Sequence, residues 1–117
     1  MTVFDPADDL IVVEAQIVGP DGSIVVRLAL DTGATFTAIN EQSLAMVGCR
    51  PSGEMVEATT GSGEVRARKT TVQRIVALDR RRRDFPVLVH SLPPSAPVDG
   101  LLGLDFLRKR RLKIDFK

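Results

Sequence analysis

The span from Leu10 to Leu30, "LIVVEAQIVGPDGSIVVRLAL", sets Gly19-Pro20-Asp21-Gly22 between two apolar runs. Glycine supplies backbone freedom, proline presets a turn and aspartate bonds its own backbone, so this quartet marks a reversal of the chain. Two extended runs joined by so short a link pair as an antiparallel hairpin. In the second run Ile24, Val26, Leu28 and Leu30 share one face by period-two alternation. That face must be covered, and the rest of the chain has to supply the cover.

The same punctuation recurs downstream. "NEQSLAMVG" reads as a short helix with Asn40 as N-cap and Gly48 as its stop. "EMVEATTGSGEVRARKTTVQRIVAL" gives two polar, β-capable arms around Thr60-Gly61-Ser62-Gly63, expected to form a hairpin standing off the body with a flexible tip. "IVAL", "DRRRRD" and "FPVLVHSL" read as strand, basic turn and strand, and Pro93 to Pro97 as a rigid loop. The closing "VDGLLGLDFLRKRRLKIDFK" holds an apolar run broken by Gly103 and a short helix around Asp105 to Lys109. A last alternating strand through Leu112, Ile114 and Phe116 follows. About seven short strands at regular turn spacing, with little helix, predict an all-β barrel or sandwich. The 117 residues fit one domain, 1–117.

Composition removes several function classes. The net charge is +1, which provides no broad field for nucleic acid or membrane, and with five Phe but no Trp or Tyr there is little to stack bases on. "DRRRRD" and the "RKRR" from Arg108 to Arg111 read as solvated charge, the second at the C-terminal end of a helix. One cysteine, Cys49, excludes an intrachain disulfide, and with one histidine, His90, there is no zinc set; no metal and no cofactor are expected. The start "MTVFDPADDL" lacks a basic segment followed by an apolar core, and no apolar stretch reaches bilayer length. A soluble cytoplasmic protein is the expectation.

Within this frame "VVRLALDTGATFTAI" stands out, because an apolar strand ends on Asp31. Carboxylates are rarely buried, since removing an unpaired one from water is costly. Asp31 is therefore either a turn residue or a carboxylate held for chemistry. For the second reading the parts are present. The strand holds Asp31, Gly33 lets a backbone N–H approach a carboxylate or substrate closely, and Thr32 supplies a hydroxyl.

"LALDTGATFTAI" resembles the catalytic motif of the pepsin-like and retroviral-type aspartic proteases, apolar-apolar-Asp-Thr/Ser-Gly-Ala/Ser. "GLLGLDFLRKRRLKIDF" is similar to that family's apolar-apolar-Gly segment, short helix and closing strand. The likeness is nearest to the single-lobe retroviral-like domains of retrotransposons, bacteria and the DNA-damage-inducible proteins. A glycine hairpin lies between the two elements, in the order in which the family places its flap. The resemblance implies a closed barrel of the acid-protease, retropepsin type with one or two short helices. It implies Asp31 as the catalytic carboxylate, Thr32, Gly33 and Ala34 as the active-site loop that binds substrate, and Thr60, Gly61, Ser62 and Gly63 as the flap. Leu101, Leu102 and Gly103 would pack under the loop, and Asp105 would be structural.

The chain holds one such motif, whereas pepsins carry two lobes and two aspartates. The resemblance thus implies an isologous C2 homodimer with one active site on the axis. "RLKIDFK" and "TVFDP" are candidates for the terminal strands that sew it. Two carboxylates roughly 3 Å apart cannot both ionise, and this family is the standard case of such a pair sharing a proton. The implied function is aspartic endopeptidase, acting on peptide or protein without metal. Thr35 stands where viral enzymes often carry Asp, and the hairpin lacks a Tyr. A dimeric peptide-binding or assembly module of the same fold, with weak or no turnover, is the alternative these departures motivate.

Overall fold

Leu10–Gly19 (β2) and Gly22–Leu30 (β3) pair antiparallel without interruption from Val12↔Ala29 to Gly19↔Gly22. The Pro20-Asp21 reversal is as read from the sequence, and Val26 and Leu28 are fully enclosed. Ile24 and Leu30, on the same face, are half-buried against the core. This computed structural model describes residues 3–5, 10–60, 63–90 and 98–108. The remaining elements are Val3–Asp5 (β1), Ala38–Ile39 (β4), Glu41–Met46 (α1), Met55–Thr60 (β5), Gly63–Ala77 (β6), Arg80–Val89 (β7), Gly100–Leu102 (β8) and Leu104–Leu107 (α2).

Six strands close a barrel in the order β2-β3-β8-β4-β7-β6, and β6 returns to β2 through Gln16↔Val76, Ile17↔Ile75 and Val18↔Arg74. Closure removes the free edges that an open sheet of this length would expose. The all-β barrel with two short helices expected from the sequence is what forms. Its interior is aliphatic, with Ile17, Leu28, Ile39, Ile75 and Leu102 sealed from solvent. Phe106 of α2 closes one side and meets Phe85 edge-on at 5.9 Å between ring centres. Two pairings are parallel, β3 with β8 and β4 with β7, and they interlock around the antiparallel contact of β4 with β8. Strand β8 lies so close to β4 that a Cβ on Gly100 would fall 2.0 Å from the carbonyl oxygen of Ala38, so only glycine fits.

The short helix α1 is capped as read. Asn40 accepts from the N–H of Ser43 at 2.8 Å, and Gly48 leaves the helix in the left-handed region at φ +81°. Helix α2 spans Leu104–Leu107; Lys109 and the expected strand through Leu112, Ile114 and Phe116 lie outside the described residues, as does the loop from Pro93 to Pro97. Strand β1 pairs with β2 of its own chain, Val3↔Val12 to Asp5↔Leu10.

Two readings need correction. The basic run is a strand, not a turn: Arg80 to Arg83 pair with residues of β6, and the reversal falls on Leu78 and Asp79 at φ 53° and 61°. Arg82 carries the reason, since its guanidinium lies 5.3 Å from the Phe106 ring centre and donates to the carbonyls of Phe106 and Arg108. Arg80 donates to Leu107. The last carbonyls of α2 have no helical partners, and these two arginines satisfy them from the neighbouring strand. The β5–β6 hairpin also does not stand clear of the body. Ala58 and Ala67 are buried with Ala38 and Leu88, and small side chains let the hairpin lie on the barrel wall.

No helix of the described residues is long and apolar enough to cross a membrane.

Candidate active site

Asp31 is the first residue after β3, and its position is set by the barrel. The parallel ladder between β3 and β8 ends at Leu30↔Leu102, and the Asp31 N–H extends it by donating to the Leu102 carbonyl at 3.0 Å. Beyond that point the chain turns sharply. The Gly33 N–H donates to Asp31 Oδ1 at 2.9 Å, and the Ala34 N–H to the Asp31 carbonyl at 3.1 Å. The aspartate thus serves as the turn residue of its own loop and is also half-exposed at the tip of a rigid strand. The turn reading open at the level of the sequence therefore holds, and the same side chain keeps part of its surface open to solvent.

Thr32 and Gly33 are exposed, while Ala34 is completely buried and its carbonyl accepts from Leu104 N–H at 2.9 Å. Below the loop, a Cβ on Gly103 would lie 2.7 Å from the carbonyl carbon and oxygen of Phe36 and 3.0 Å from the Ala34 oxygen. Leu102 is sealed in the core, and Leu101 sits on β8 opposite both Ala29 and Ala38. Asp31, Ala34, Leu102 and Gly103 therefore form one connected unit. The Thr32 hydroxyl makes no hydrogen bond among the described residues.

Two residues that sequence reasoning gave no role complete the support. Thr37 is fully buried and donates its N–H and hydroxyl to the Asp105 carboxylate, while its hydroxyl accepts from Gly103 N–H at 3.1 Å. Burial pushes the Asp105 carboxyl above its ordinary range, against the Thr37 and Phe106 donors that pull it down. No local pattern flags Thr37, whose partner lies on another element. Thr35, noted only as a departure from viral sequences, joins the loop to the hairpin. Its N–H donates to the Thr59 carbonyl at 2.9 Å, and its hydroxyl accepts from the Thr59 N–H at 3.3 Å.

Thr60 pairs with Gly63 to close the hairpin, with Gly63 at φ +124°; Gly61 and Ser62 lie outside the described residues. Between loop and hairpin lies a cavity of about 330 Å³ lined by Thr35, Phe36, Glu57, Ala58, Thr59 and Glu64. Glu57 and Arg66 form an ion pair at 3.8 Å, exposed enough to contribute little. Among the described residues no three His, Cys, Asp or Glu side chains group as metal ligands.

The geometry holds the Asp31 carboxylate at the end of a barrel strand, on the loop whose Thr35 and Phe36 line the cavity against the hairpin. The sequence model of the family described as aspartyl protease matches residues 13–106, from β2 through the Phe106 of α2. No curated protein and no solved structure matches the chain. Motif, closed barrel and family match agree, and the chain belongs to the aspartyl protease family.

Proposed function

We propose that the protein is a homodimeric aspartic endopeptidase whose active site pairs Asp31 with Asp31 of a second copy. The observation that carries the reading is the fixing of Asp31. A strand end bonded to Leu102 and a Gly33 N–H on Oδ1 hold the carboxylate beside an exposed Thr32-Gly33. Such preorganisation is what a water-activating carboxylate requires. In the dimer one carboxylate carries the shared proton. The ionised partner takes a proton from water, which attacks the scissile carbonyl; the protonated partner polarises that carbonyl and then supplies a proton to the leaving amine. An extended peptide would lie along the edge of the β5–β6 hairpin, bonded through its backbone as an added strand.

A peptide-binding module without useful turnover is the second reading. It is motivated by Thr35, which stands where viral enzymes often carry Asp, and by a β5–β6 hairpin without Tyr.

Wild type and Asp31→Asn are compared by sedimentation and by cleavage of a diverse peptide pool between about pH 3.5 and 7.5, with and without a pepstatin-like inhibitor. Inhibitable cleavage lost in Asp31→Asn, with the dimer intact, is the expected result. Absence of cleavage by the wild type throughout removes the enzyme reading, and peptide binding unaltered by Asp31→Asn then selects the module.

A further inference from the structure

We propose that the outer face of β6 and β7, at the end away from the β5–β6 turn, is a docking groove for an acidic peptide segment. Around 630 Å³ of open cavity is lined there by Gln16, Arg74, Val76, Asp79, Arg80 and Arg81. Strand pairing builds it. Arg74 stands opposite Arg83, and Val76 stands opposite both Arg81 and Gln16, so three arginines occupy neighbouring positions on one sheet face.

Like charges directly opposite on paired strands repel. Opposite charges could relieve this, but none of Arg74, Arg81 and Arg83 has an ion-pair partner among the described residues. Arg74 is half-buried, and its Nε is enclosed without an acceptor. An enclosed donor without an acceptor is a standing deficit, and because Arg74 also lines the groove, a carboxylate seated there would bond its guanidinium and offset part of it. Arg80 and Arg82 differ, because their guanidinium groups are spent on the carbonyls of α2. Of the three arginines that line the groove, Arg74 and Arg81 are thus the two whose guanidinium groups are not spent on α2.

The occupant follows from the lining. No aromatic side chain lines the groove on which a base could stack, and the net charge of +1 gives no long-range field for a polyanion. Val76 and the amide of Gln16 lie beside Arg74 and Arg81, and the lining holds three arginines against the one carboxylate of Asp79, which suits an extended peptide with acidic side chains on one face. Strand β6 runs from Gly63 to Ala77, so Arg74 lies roughly 35 Å along it from the hairpin turn. The groove is separate from the Asp31 site and does not depend on catalysis there.

The test measures fluorescence anisotropy of a labelled peptide alternating Glu and Ser, titrated with the 117-residue chain at low salt. Competitors are an oligonucleotide of equal charge and the same peptide with Gln for Glu. The wild type and Asp31→Asn should bind alike, and Arg74→Gln/Arg81→Gln should bind at least about tenfold more weakly. Arg66→Gln, a basic position on the β5–β6 hairpin, should bind as the wild type. Arg81 is exposed, so Arg81→Gln alone folds and should bind about fivefold more weakly, which keeps the test decisive if the double variant melts early. Absence of peptide binding, equal loss in Arg66→Gln, or tighter binding of the oligonucleotide overturns the proposal.

Discussion

Thr37 spends both of its donors on Asp105, a residue 68 positions later in the chain. Its N–H lies 3.0 and 3.1 Å from the two carboxylate oxygens, and its hydroxyl lies 2.8 Å from Oδ1. Because the same hydroxyl accepts from Gly103, one buried threonine ties the segment after Asp31 to the β8–α2 corner. Thr37→Val keeps the shape but orphans the Gly103 N–H and one carboxylate bond. Its expected cost is about 1–3 kcal/mol in denaturant unfolding, and Thr37→Ser should recover most of it. Equal stability of Thr37→Val and the wild type would deny the contact its role.

Asp105 makes stability depend on pH in a stated direction. Burial raises its carboxyl above the ordinary 3.8, so the folded chain holds this proton more tightly than the unfolded chain. The stabilisation from this group is complete below about pH 3.8 and is lost as pH rises through the raised value. Asp105→Asn cannot titrate. The difference in unfolding free energy between wild type and Asp105→Asn should therefore move in favour of the variant as pH rises above about 4. A difference constant from acid to neutral pH would contradict the assignment.

Gly103 and Gly100 should fail differently on becoming alanine. At Gly103 the added Cβ meets the Phe36 and Ala34 backbone at 2.7–3.0 Å, within the loop that follows Asp31. Relief requires the Ala34–Phe36 backbone to move, so Gly103→Ala should fold with reduced stability and lose at least about tenfold in kcat/KM of the cleavage proposed for Asp31. At Gly100 the Cβ falls 2.0 Å from the Ala38 oxygen inside the barrel wall, and no small shift relieves it. Gly100→Ala should lack a cooperative melt by circular dichroism.

The Thr35–Thr59 link predicts a local change in dynamics. Thr35→Val removes the hydroxyl that accepts from Thr59 N–H but retains the Thr35 N–H bond to the Thr59 carbonyl. The Thr59 amide should exchange with solvent about fivefold faster, with amides of the barrel interior unchanged, and Thr35→Ser should exchange as the wild type. Acceleration spread over the whole barrel would mean global destabilisation instead.

Cys49 offers a chemical check on the core. Burial first, and the Asp21 carboxylate second, raise its thiol above the usual value. A buried neutral thiol reacts slowly. Ellman's reagent should therefore find Cys49 inert in the native chain and fully reactive in denaturant; rapid native labelling would show that the α1 side of the barrel opens.

What rests on near neighbours in the chain is legible before folding. The Gly-Pro-Asp-Gly reversal, the alternation through Val26 and Leu28, the Asn40 cap and the Gly48 stop each depend on contacts within a few residues. Asp31 as the end of a strand, with Gly33 bonded to it, belongs to the same class. Tertiary structure alone decided the parallel pairing of β3 with β8 and of β4 with β7, since parallel partners are joined by long connections that no local signal encodes. It decided that Thr37 would meet Asp105 and that Thr35 would meet Thr59. It also turned the arginine run into a strand, because Arg80 and Arg82 found unbonded carbonyls at the end of α2, about 25 residues away in sequence. Short-range preferences choose which residues turn, cap and alternate. Barrel closure chooses which distant polar groups must satisfy one another once water is gone.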